Sequence, residues 1–495
     1  MTNQNVEQWG LFEITLPGPT AGNSYLDVQL SAQFTSGQRV FTPDGFYDGE
    51  GSYRLRFMPD APGKWTYITN SNAPELAGKI GEFTCVPAGP GNHGPVHVTD
   101  TFHFSYDDGT RYYPFGTTCY AWAHQGDALE EQTLQTLRQA AFNKLRMCVF
   151  PKFYPFNENE PVYYPFERNA VGEPDFTRFN PAFFQHFEKR VAELGQLGIE
   201  ADLIVFHPYD HWGYSTMDAE SDYRYLRYLI ARLAAYRNVW WSLANEYDFM
   251  LDRKPMEQWD EYFRILVAKD PYQHPRSIHN GDTEKNYDHT QPWVTHVCIQ
   301  NWDVKQVKRW RRTYQKPILN DELEYEGDIV FPWGNISAQE EVHRIWIMVT
   351  NGGYAGHGET YMHPEDILWW SKGGVLHGES WQRVAFLRKI MEDGPVGGLT
   401  PLEDQWVWSR VSGGQNGAYR LLYFGEHQPQ FWCDGLPETD DYEIDIIDTW
   451  AMTITPGTRR ERRHFAAQGA PKPSDPRYEL VLPGKPYLAV RIRPR

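Results

Sequence analysis

The sequence predicts a (β/α)₈ barrel flanked by an N-terminal and a C-terminal β-sandwich. First, its 495 residues exceed what one ordinary hydrophobic core holds, so two or three domains are expected. Second, short β-prone runs and turns rich in Gly, Pro, Asn and Asp fill both ends of the chain. Third, strand-like and amphipathic helical runs alternate between them, as in parallel βα units. We predict domains at 1–98, 99–398 and 399–495.

The N-terminal domain contains short strand candidates separated by turn-forming residues. The predicted strands span 9–16, 25–34, 52–57 and 63–69. This spacing is typical of a β-sandwich. The Pro- and Gly-rich segment 87–93 then indicates a linker to the next domain.

The central domain offers eight strand candidates, and helices follow most of them. The predicted strands span 112–118, 144–150, 201–206, 239–243, 276–279, 294–300, 317–320 and 353–356. The predicted helices span 129–142, 182–197, 223–236, 256–268, 304–315, 338–351 and 381–391. A doubly wound sheet is the structural alternative. It usually has a Gly-rich phosphate-binding turn after its first strand, and Phe115-Gly-Thr-Thr is not one.

After residue 398 the helical periodicity stops and β-prone runs return. The predicted strands span 406–411, 418–424, 442–448, 478–482 and 487–493. Their number and spacing favour a second, smaller β-sandwich.

Composition excludes several classes of partner. The formal net charge of −18 argues against nucleic acid and anionic membranes, since both attract basic surfaces. No uncharged apolar run approaches the roughly 20 residues of a membrane helix. Five scattered cysteines without a CxxC pair, and a start without a signal-peptide pattern, predict a cytoplasmic protein. Oligomeric state stays open.

Aromatic residues make up 15% of the chain, including 19 Trp and 30 Tyr. Aromatic faces stack on the C–H surfaces of sugar rings, so this content favours a carbohydrate partner. Ordinary core packing would use the same residues, so composition alone leaves both interpretations open.

Polar residues cluster just after the predicted barrel strands, where barrels carry their chemistry. They include Lys152, Tyr154, His207, Tyr209, His211, Asn245, Glu246, His279, Trp302, Glu322, Glu324, His357 and Glu359. The acids after strands four and seven lie on opposite walls, so they can face each other across the barrel mouth. Glycoside hydrolysis needs such a pair, one carboxyl as proton donor and one carboxylate as nucleophile or base. Alternatively, Glu246 pairs with an arginine or caps the next helix.

Asn245-Glu246 after strand four, and an acid after Lys316-Pro317 on strand seven, resemble the retaining (β/α)₈ glycoside hydrolase clan that includes cellulases and β-galactosidases. This resemblance implies that Glu246 is the acid/base and Glu322 the nucleophile, with Glu324 in reserve. It implies that Asn245 contacts the sugar 2-hydroxyl. Where the clan often has Tyr or His at strand six, this chain has Asn301-Trp302.

The three-domain layout and the segment 357–379 resemble a group of bacterial glycosidases with an apiosidase-like catalytic barrel. The resemblance implies a retaining hydrolase of plant- or microbe-derived oligosaccharides that needs no cofactor and no metal. Arg146 and His207 lie where the larger clan often holds polar residues that support the nucleophile and the substrate. At the last strand, where the clan often has a lone Trp, this chain offers His357-Gly-Glu359 and His377-Gly-Glu379. We also expect Trp302, His357, Glu359 and Glu379 to bind substrate, although Trp302 could simply pack and the two glutamates could cap helices.

Two other functions fit parts of the pattern. A non-catalytic carbohydrate-binding protein could use the same aromatic residues on an inactive barrel. A metal-dependent hydrolase could use His207, His211 and an acid, although these histidines follow a strand rather than sharing a helix face.

Overall fold

The computed structural model describes residues 4–402, 411–433, 442–461 and 478–495. Its centre is a parallel barrel of eight strands, named β1 to β8 in chain order. They span Phe115–Thr118, Lys144–Cys148, Glu200–Phe206, Val239–Ala244, Arg276–Ser277, Val297–Gln300, Ile318–Glu322 and Tyr354–His357. The sheet runs β5-β4-β3-β2-β1-β8-β7-β6, so β1 pairs with β8 and the barrel is nearly closed. The predicted fold class is confirmed.

The seam of the barrel lies between the two short strands β5 and β6. Thr295 N donates to Arg276 O over 3.0 Å. Nearer the carboxyl ends of the strands, the Asn280 side chain connects the segment after β5 to the end of β6. Its Oδ1 accepts from Gln300 N at 3.1 Å, and its Nδ2 donates to Gln300 O at 3.3 Å. A side-chain amide thus replaces backbone pairing where the strands diverge.

Seven main helices surround the barrel, named α1 to α7 in chain order. They span Asp127–Gln139, Pro181–Gln196, Ala219–Leu233, Met256–Lys269, Val307–Tyr314, Ala338–Thr350 and Ser380–Glu392. Side-chain caps fix several starts: Asn180 accepts from Ala182 N at 3.2 Å, and Asp218 accepts from Ser221 N at 2.8 Å. The loop 278–296 takes the place of a helix after β5.

Several predicted strands differ from the structure in their bounds, two of them for clear local reasons. The strand expected at 112–118 is interrupted at Pro114, and Arg111–Tyr112 pairs instead in a small antiparallel sheet with His103–Tyr106 and Val96–Thr99. The strand expected at 25–34 begins only at Leu30, because the Asn23 side chain accepts from Tyr25 N at 3.1 Å and caps the one-turn helix Ser24–Asp27. The strand expected at 276–279 covers only Arg276–Ser277.

The N-terminal region contains a five-stranded and a three-stranded sheet. Its strands are Asn5–Glu7, Phe12–Pro17, Leu30–Ser36, Arg39–Phe41, Phe46–Tyr47, Ser52–Phe57, Gly63–Ser71 and Ile80–Val86. Buried aromatic rings join the two sheets; Phe12 and Phe83, for example, stack with centroids 4.0 Å apart. This region packs on α2 and α3, where Arg56 Nη2 donates to Glu188 Oε2 at 3.0 Å.

The C-terminal region is also built from strands. They are Thr400–Pro401, Ser412–Asn416, Tyr419–Tyr423, Phe431–Trp432, Tyr442–Asp448, Thr453–Pro456, Thr458–Glu461, Tyr478–Val481 and Leu488–Pro494. Apart from residue 411, the strand predicted at 406–411 lies outside the described residues. The exact domain boundaries stay predictions. Within the described ranges, no helix has both the length and the apolar character to cross a bilayer.

Charged residues fill the barrel interior beneath the site. Lys144 on β2 lies against Asp202 of β3 and Asp321 of β7, with Nζ to Oδ distances of 2.5 and 3.1 Å. Arg146 lies two residues further along β2 on the same face. A register shift between β6 and β7 makes Asp321 the extra residue, since Ile299 pairs with Asn320 but Gln300 pairs with Glu322. This bulge lets Asp321 and Glu322 both reach the barrel interior.

Candidate active site

A cavity of about 390 Å³ opens at the carboxyl ends of the barrel strands, a volume suited to a small ligand. Nine aromatic side chains and three glutamates share its walls with one lysine. The lining residues are Tyr120, Lys152, Tyr154, Pro155, Phe156, Tyr209, Asn245, Glu246, Thr283, Gln300, Trp302, Glu322, Glu324, Tyr325, Phe331, Trp333 and Trp370.

Glu322 ends β7 and is held by three polar groups. Arg146 Nη1 donates to Oε1 at 2.8 Å, and the Tyr120 hydroxyl donates to the same oxygen. His279 Nε2 lies 3.2 Å from it. These contacts fix the carboxylate at the cavity wall.

The pKa of Glu322 reflects two opposing effects. Burial disfavours the charged form, but His279, Arg146 and the hydrogen bond from Tyr120 together outweigh burial and lower the pKa to about 2. Glu322 is therefore a carboxylate across the neutral range, as an attacking nucleophile must be.

Glu246 lies two residues after the end of β4, at a sharp backbone turn. Its φ of 56° is in the left-handed region, which is uncommon for a residue with a side chain and is typical of functional sites. On either side of it, Asn245 N donates to Phe206 O at 3.0 Å and Tyr247 N donates to His279 O at 3.1 Å. The turn directs the carboxyl into the cavity, where the Tyr209 hydroxyl donates to Oε2.

The pKa of Glu246 moves in the opposite direction. Burial and then the negative charge of Glu322 raise it to about 7, although Lys152 and the Tyr209 hydrogen bond act against this rise. Glu246 thus holds a proton below neutrality and can release it near neutrality. One cavity therefore holds a carboxyl suited to proton transfer and a carboxylate suited to attack.

Three further predicted residues line the cavity with this pair. Asn245 is buried, and its Oδ1 lies 3.0 Å from the Tyr120 hydroxyl oxygen. Trp302 is at the rim and 60% exposed, so its ring is available to a sugar. Glu324, the reserve nucleophile, also lies on the wall, but Arg344 Nη1 binds its Oε2 at 2.7 Å.

Arg146 and His207 lie behind the cavity wall rather than in it. Arg146 acts on the site through Glu322 and through Tyr120, to whose hydroxyl Nη1 donates at 3.0 Å. Both ring nitrogens of His207 face backbone groups, with Nε2 3.1 Å from Phe150 O and Nδ1 accepting from Tyr209 N at 3.2 Å. His207 therefore supports the loop that carries Tyr209.

The predicted residues after strand eight also lie outside the cavity lining. His357 is buried between Thr117 and Ser380, whose hydroxyl oxygens lie 3.0 and 3.1 Å from its ring nitrogens. Glu359 accepts from His377 N at 2.5 Å and from Gly378 N at 2.8 Å, so it holds the segment before α7. Glu379 is exposed at the start of that helix.

The two histidines of the metal-hydrolase alternative have separate partners. His211 Nε2 lies 3.0 Å from Glu160 Oε1, whereas His207 is bound to backbone groups. Among the described residues, the cluster that could offer three metal ligands is Asp127, Glu130 and His186. Arg190 occupies it, with guanidinium nitrogens 2.7 Å from the Asp127 carboxylate and 2.6 Å from that of Glu130.

Sequence reasoning missed the residues that orient the two glutamates. Tyr209 and His279 followed predicted strands, but nothing local assigned them a partner. Tyr120 follows β1, where no polar residue was singled out. Trp370 also lines the cavity, and it comes from the short helix Trp369–Lys372. In the sequence, the adjacent pair Trp369-Trp370 within the segment 357–379 could have indicated this residue.

A (β/α)₈ barrel with one glutamate just after β4 and another at the end of β7, both in one cavity, has the fold of the glycoside hydrolase class. Residues 99–395 match the model of the family described as apiosidase-like, catalytic domain. The chain belongs to this family. Residues 5–72 and 408–493 match two domains of unknown function, DUF5060 and DUF5605.

Solved structures agree with this assignment. A protein from Bacteroides vulgatus ATCC 8482, provisionally assigned as a glycoside hydrolase, is 39% identical over all of both chains, with a TM-score of 0.89. A glycoside hydrolase family 5 protein from the same organism is 13% identical, with a TM-score of 0.60. There, 82% of this chain and 94% of the other are covered, and the likeness concerns the fold alone. No curated protein matches the chain.

Proposed function

We propose that this protein hydrolyses O-glycosidic bonds of a plant- or microbe-derived oligosaccharide, with retention of anomeric configuration. The observation that carries the proposal is the pair of glutamates in one cavity with oppositely shifted pKa values. Glu322 has a pKa of about 2 and Glu246 of about 7. Such a division of roles between two carboxyl groups is what double displacement requires.

In the first step the Glu322 carboxylate attacks the anomeric carbon while Glu246 gives its proton to the leaving oxygen. The glycosidic C–O bond breaks, and an ester forms between the sugar and Glu322. In the second step Glu246, now a carboxylate, takes a proton from water. That water attacks the anomeric carbon, releases Glu322 and yields the sugar with its original configuration.

The neighbours of the pair have supporting roles in this proposal. Arg146, Tyr120 and His279 position the nucleophile and keep it ionised. Asn245 lies beside both Tyr120 and Glu246 and would bind the sugar 2-hydroxyl, as the clan resemblance implies. The aromatic walls and Trp302 would stack on sugar rings. Cytoplasmic location, and no need for nucleic acid, membrane or cofactor, stay predictions.

The direct test combines a substrate panel with single substitutions. Purified protein is assayed on aryl glycosides and plant oligosaccharides, including apiosides because the family description names that sugar. On the best oligosaccharide substrate, Glu246→Gln and Glu322→Gln should each lower kcat/KM by roughly 10²–10⁴-fold, because proton transfer or attack is lost. Glu324→Gln, the matched control, should change it little.

Leaving-group dependence separates the two roles. A 2,4-dinitrophenyl leaving group needs little protonation, so Glu246→Gln should slow bond cleavage much less on such a substrate than on an alkyl glycoside. Glu322→Gln should slow both, because the nucleophile is required for each. Near-normal activity of Glu246→Gln on every substrate, or greater sensitivity to Glu324→Gln than to Glu322→Gln, contradicts the assignment.

The aromatic walls would also suit a protein that only binds carbohydrate. Saturable binding of oligosaccharides without hydrolysis of any bound compound would favour that alternative. The crowding of two glutamates favours an enzyme, since a binding protein gains nothing from raising the pKa of one carboxyl beside another.

A further inference from the structure

Lys152 lies in the cavity wall, and aromatic rings surround its ammonium group. The residue follows β2 and is 2% exposed. Its Nζ is 3.6 Å from the ring centroid of Tyr120, 4.4 Å from that of Tyr209 and 4.6 Å from that of Tyr154. The Trp370 ring is 5.5 Å away. All four rings line the same cavity, so the ammonium group is held at its surface.

Among the described residues, no oxygen atom pairs with this ammonium group. Within the described ranges, Lys152 forms no hydrogen bond through Nζ and no ion pair, whereas the other three buried lysines all do. Lys144 pairs with Asp202 and Asp321, Lys254 pairs with Asp222, and Lys372 donates to a backbone carbonyl. A buried charge without a counter-charge is costly, and cation–π contacts offset only part of the desolvation.

The charged groups at the cavity also have one positive charge in excess when the proposed reaction begins. Arg146 pairs with Glu322, and Arg344 pairs with Glu324. Glu246 is protonated when the proposed reaction begins. Among the described lining residues, Lys152 then carries the one charge without a counter-charge. A bound molecule with a single negative charge would supply it.

We propose that Lys152 binds a carboxylate of the substrate, so that the enzyme acts on an oligosaccharide containing a hexuronic acid. This inference rests on the proposed glycosidase function and specifies its substrate class. A sugar hydroxyl could accept one hydrogen bond from Lys152 but would leave its charge buried. A carboxylate accepts two hydrogen bonds and neutralises the charge.

A simpler role for Lys152 is to tune the proton affinity of Glu246. Loss of the lysine would then affect neutral and acidic sugars alike. The carboxylate proposal predicts a selective loss for acidic sugars, and a binding measurement separates the two because it involves no catalysis.

The experiment measures equilibrium binding through quenching of tryptophan fluorescence, since Trp302, Trp333 and Trp370 line the cavity. The wild-type protein is titrated with glucuronate, galacturonate and mannuronate, and separately with glucose, galactose and mannose. At least one acid should bind about tenfold or more tightly than its neutral counterpart, as one well-placed charged contact predicts. Lys152→Met should abolish this preference, and Lys64→Met, an exposed lysine in the N-terminal region, should keep it.

Equal affinity within every pair, no saturable binding of any acid, or an acid preference that survives in Lys152→Met would overturn the proposal. Tighter binding of glucose 6-sulfate than of all three acids would overturn the choice of a carboxylate. The wild-type titrations need no variant, so a poorly folded Lys152→Met cannot hide the outcome. Acid-selective binding without hydrolysis would instead contradict the proposed function and leave the lysine assignment standing.

Discussion

Glu246 acquires a pKa of about 7 from burial and from the charge of Glu322. Since the first step uses its protonated form, kcat/KM should be maximal below pH 7 and fall as the pH rises through 7. Glu322, with a pKa of about 2, must be ionised, so the acidic limb should lie far below neutrality. One proton on Glu246 thus determines activity around neutral pH.

Tyr209 allows a sharper test of this pH dependence. Its hydroxyl donates to Glu246 Oε2 and so stabilises the carboxylate. Tyr209→Phe removes that donor, which should raise the pKa of Glu246 and move the basic limb of kcat/KM to higher pH. Tyr223→Phe is the control: this half-buried tyrosine of α3 packs against Tyr262 and does not line the cavity, so its change should leave the profile in place. If the basic limb of kcat/KM is unchanged or moves to lower pH in Tyr209→Phe, Glu246 is not the titrating acid.

The placement of Glu246 and Glu322 at the carboxyl ends of the barrel strands was predictable from sequence, but the residues that contact them were not. An acid that ends an apolar strand run in a parallel barrel points to the catalytic face whatever surrounds it. Tyr120 reaches Glu322 across 202 sequence positions, and Tyr209 reaches Glu246 across 37. Such partners depend on strand order and on loop shape, and no local pattern encodes either. The unpaired state of Lys152 is likewise a property of the folded cavity.

At the level of secondary structure, alternating apolar runs located all eight strands and seven main helices. The misplaced ends have physical causes, such as Pro114 in the first strand and the short pairing of β5. The bulge at Asp321 was not predictable, because Ile318–Glu322 is a buried run whose register is fixed only by its neighbours. That bulge is what brings Asp321 and Glu322 into the interior together.

The seam between β5 and β6 depends on the Asn280 side chain. Asn280→Ala removes its hydrogen bonds to Gln300 N and Gln300 O and leaves half-buried backbone groups without these partners. We expect the free energy of unfolding to fall by about 1–3 kcal/mol, measured by urea denaturation. Glu284→Ala, an exposed change in the same loop, should alter stability by less than about 0.5 kcal/mol. Equal stability of the two variants would indicate that the seam is held elsewhere.

Across the whole molecule, the sequence predicted three blocks but not how they pack. The N-terminal region is fixed to the barrel helices by buried charges: Arg232 Nη1 lies 2.8 Å from Asp48 Oδ1, and Arg56 lies against Glu188. These residues are 184 and 132 positions apart, so their pairing required the fold. The net charge of −18 also gave no indication of the Lys152 ammonium group in the cavity wall, because a total charge says nothing about one buried group.

The central claim is that Glu322 forms a covalent bond to the sugar during turnover. The direct measurement is mass spectrometry of the protein after incubation with an activated 2-deoxy-2-fluoro glycoside of its best substrate. The fluorine destabilises the oxocarbenium-like transition states of both steps, whereas the activated leaving group speeds only formation of the ester, so the intermediate should accumulate. We predict one sugar per chain, attached to Glu322. Attachment to Glu324, or turnover with inversion of the anomeric centre and no attached sugar, would contradict the account.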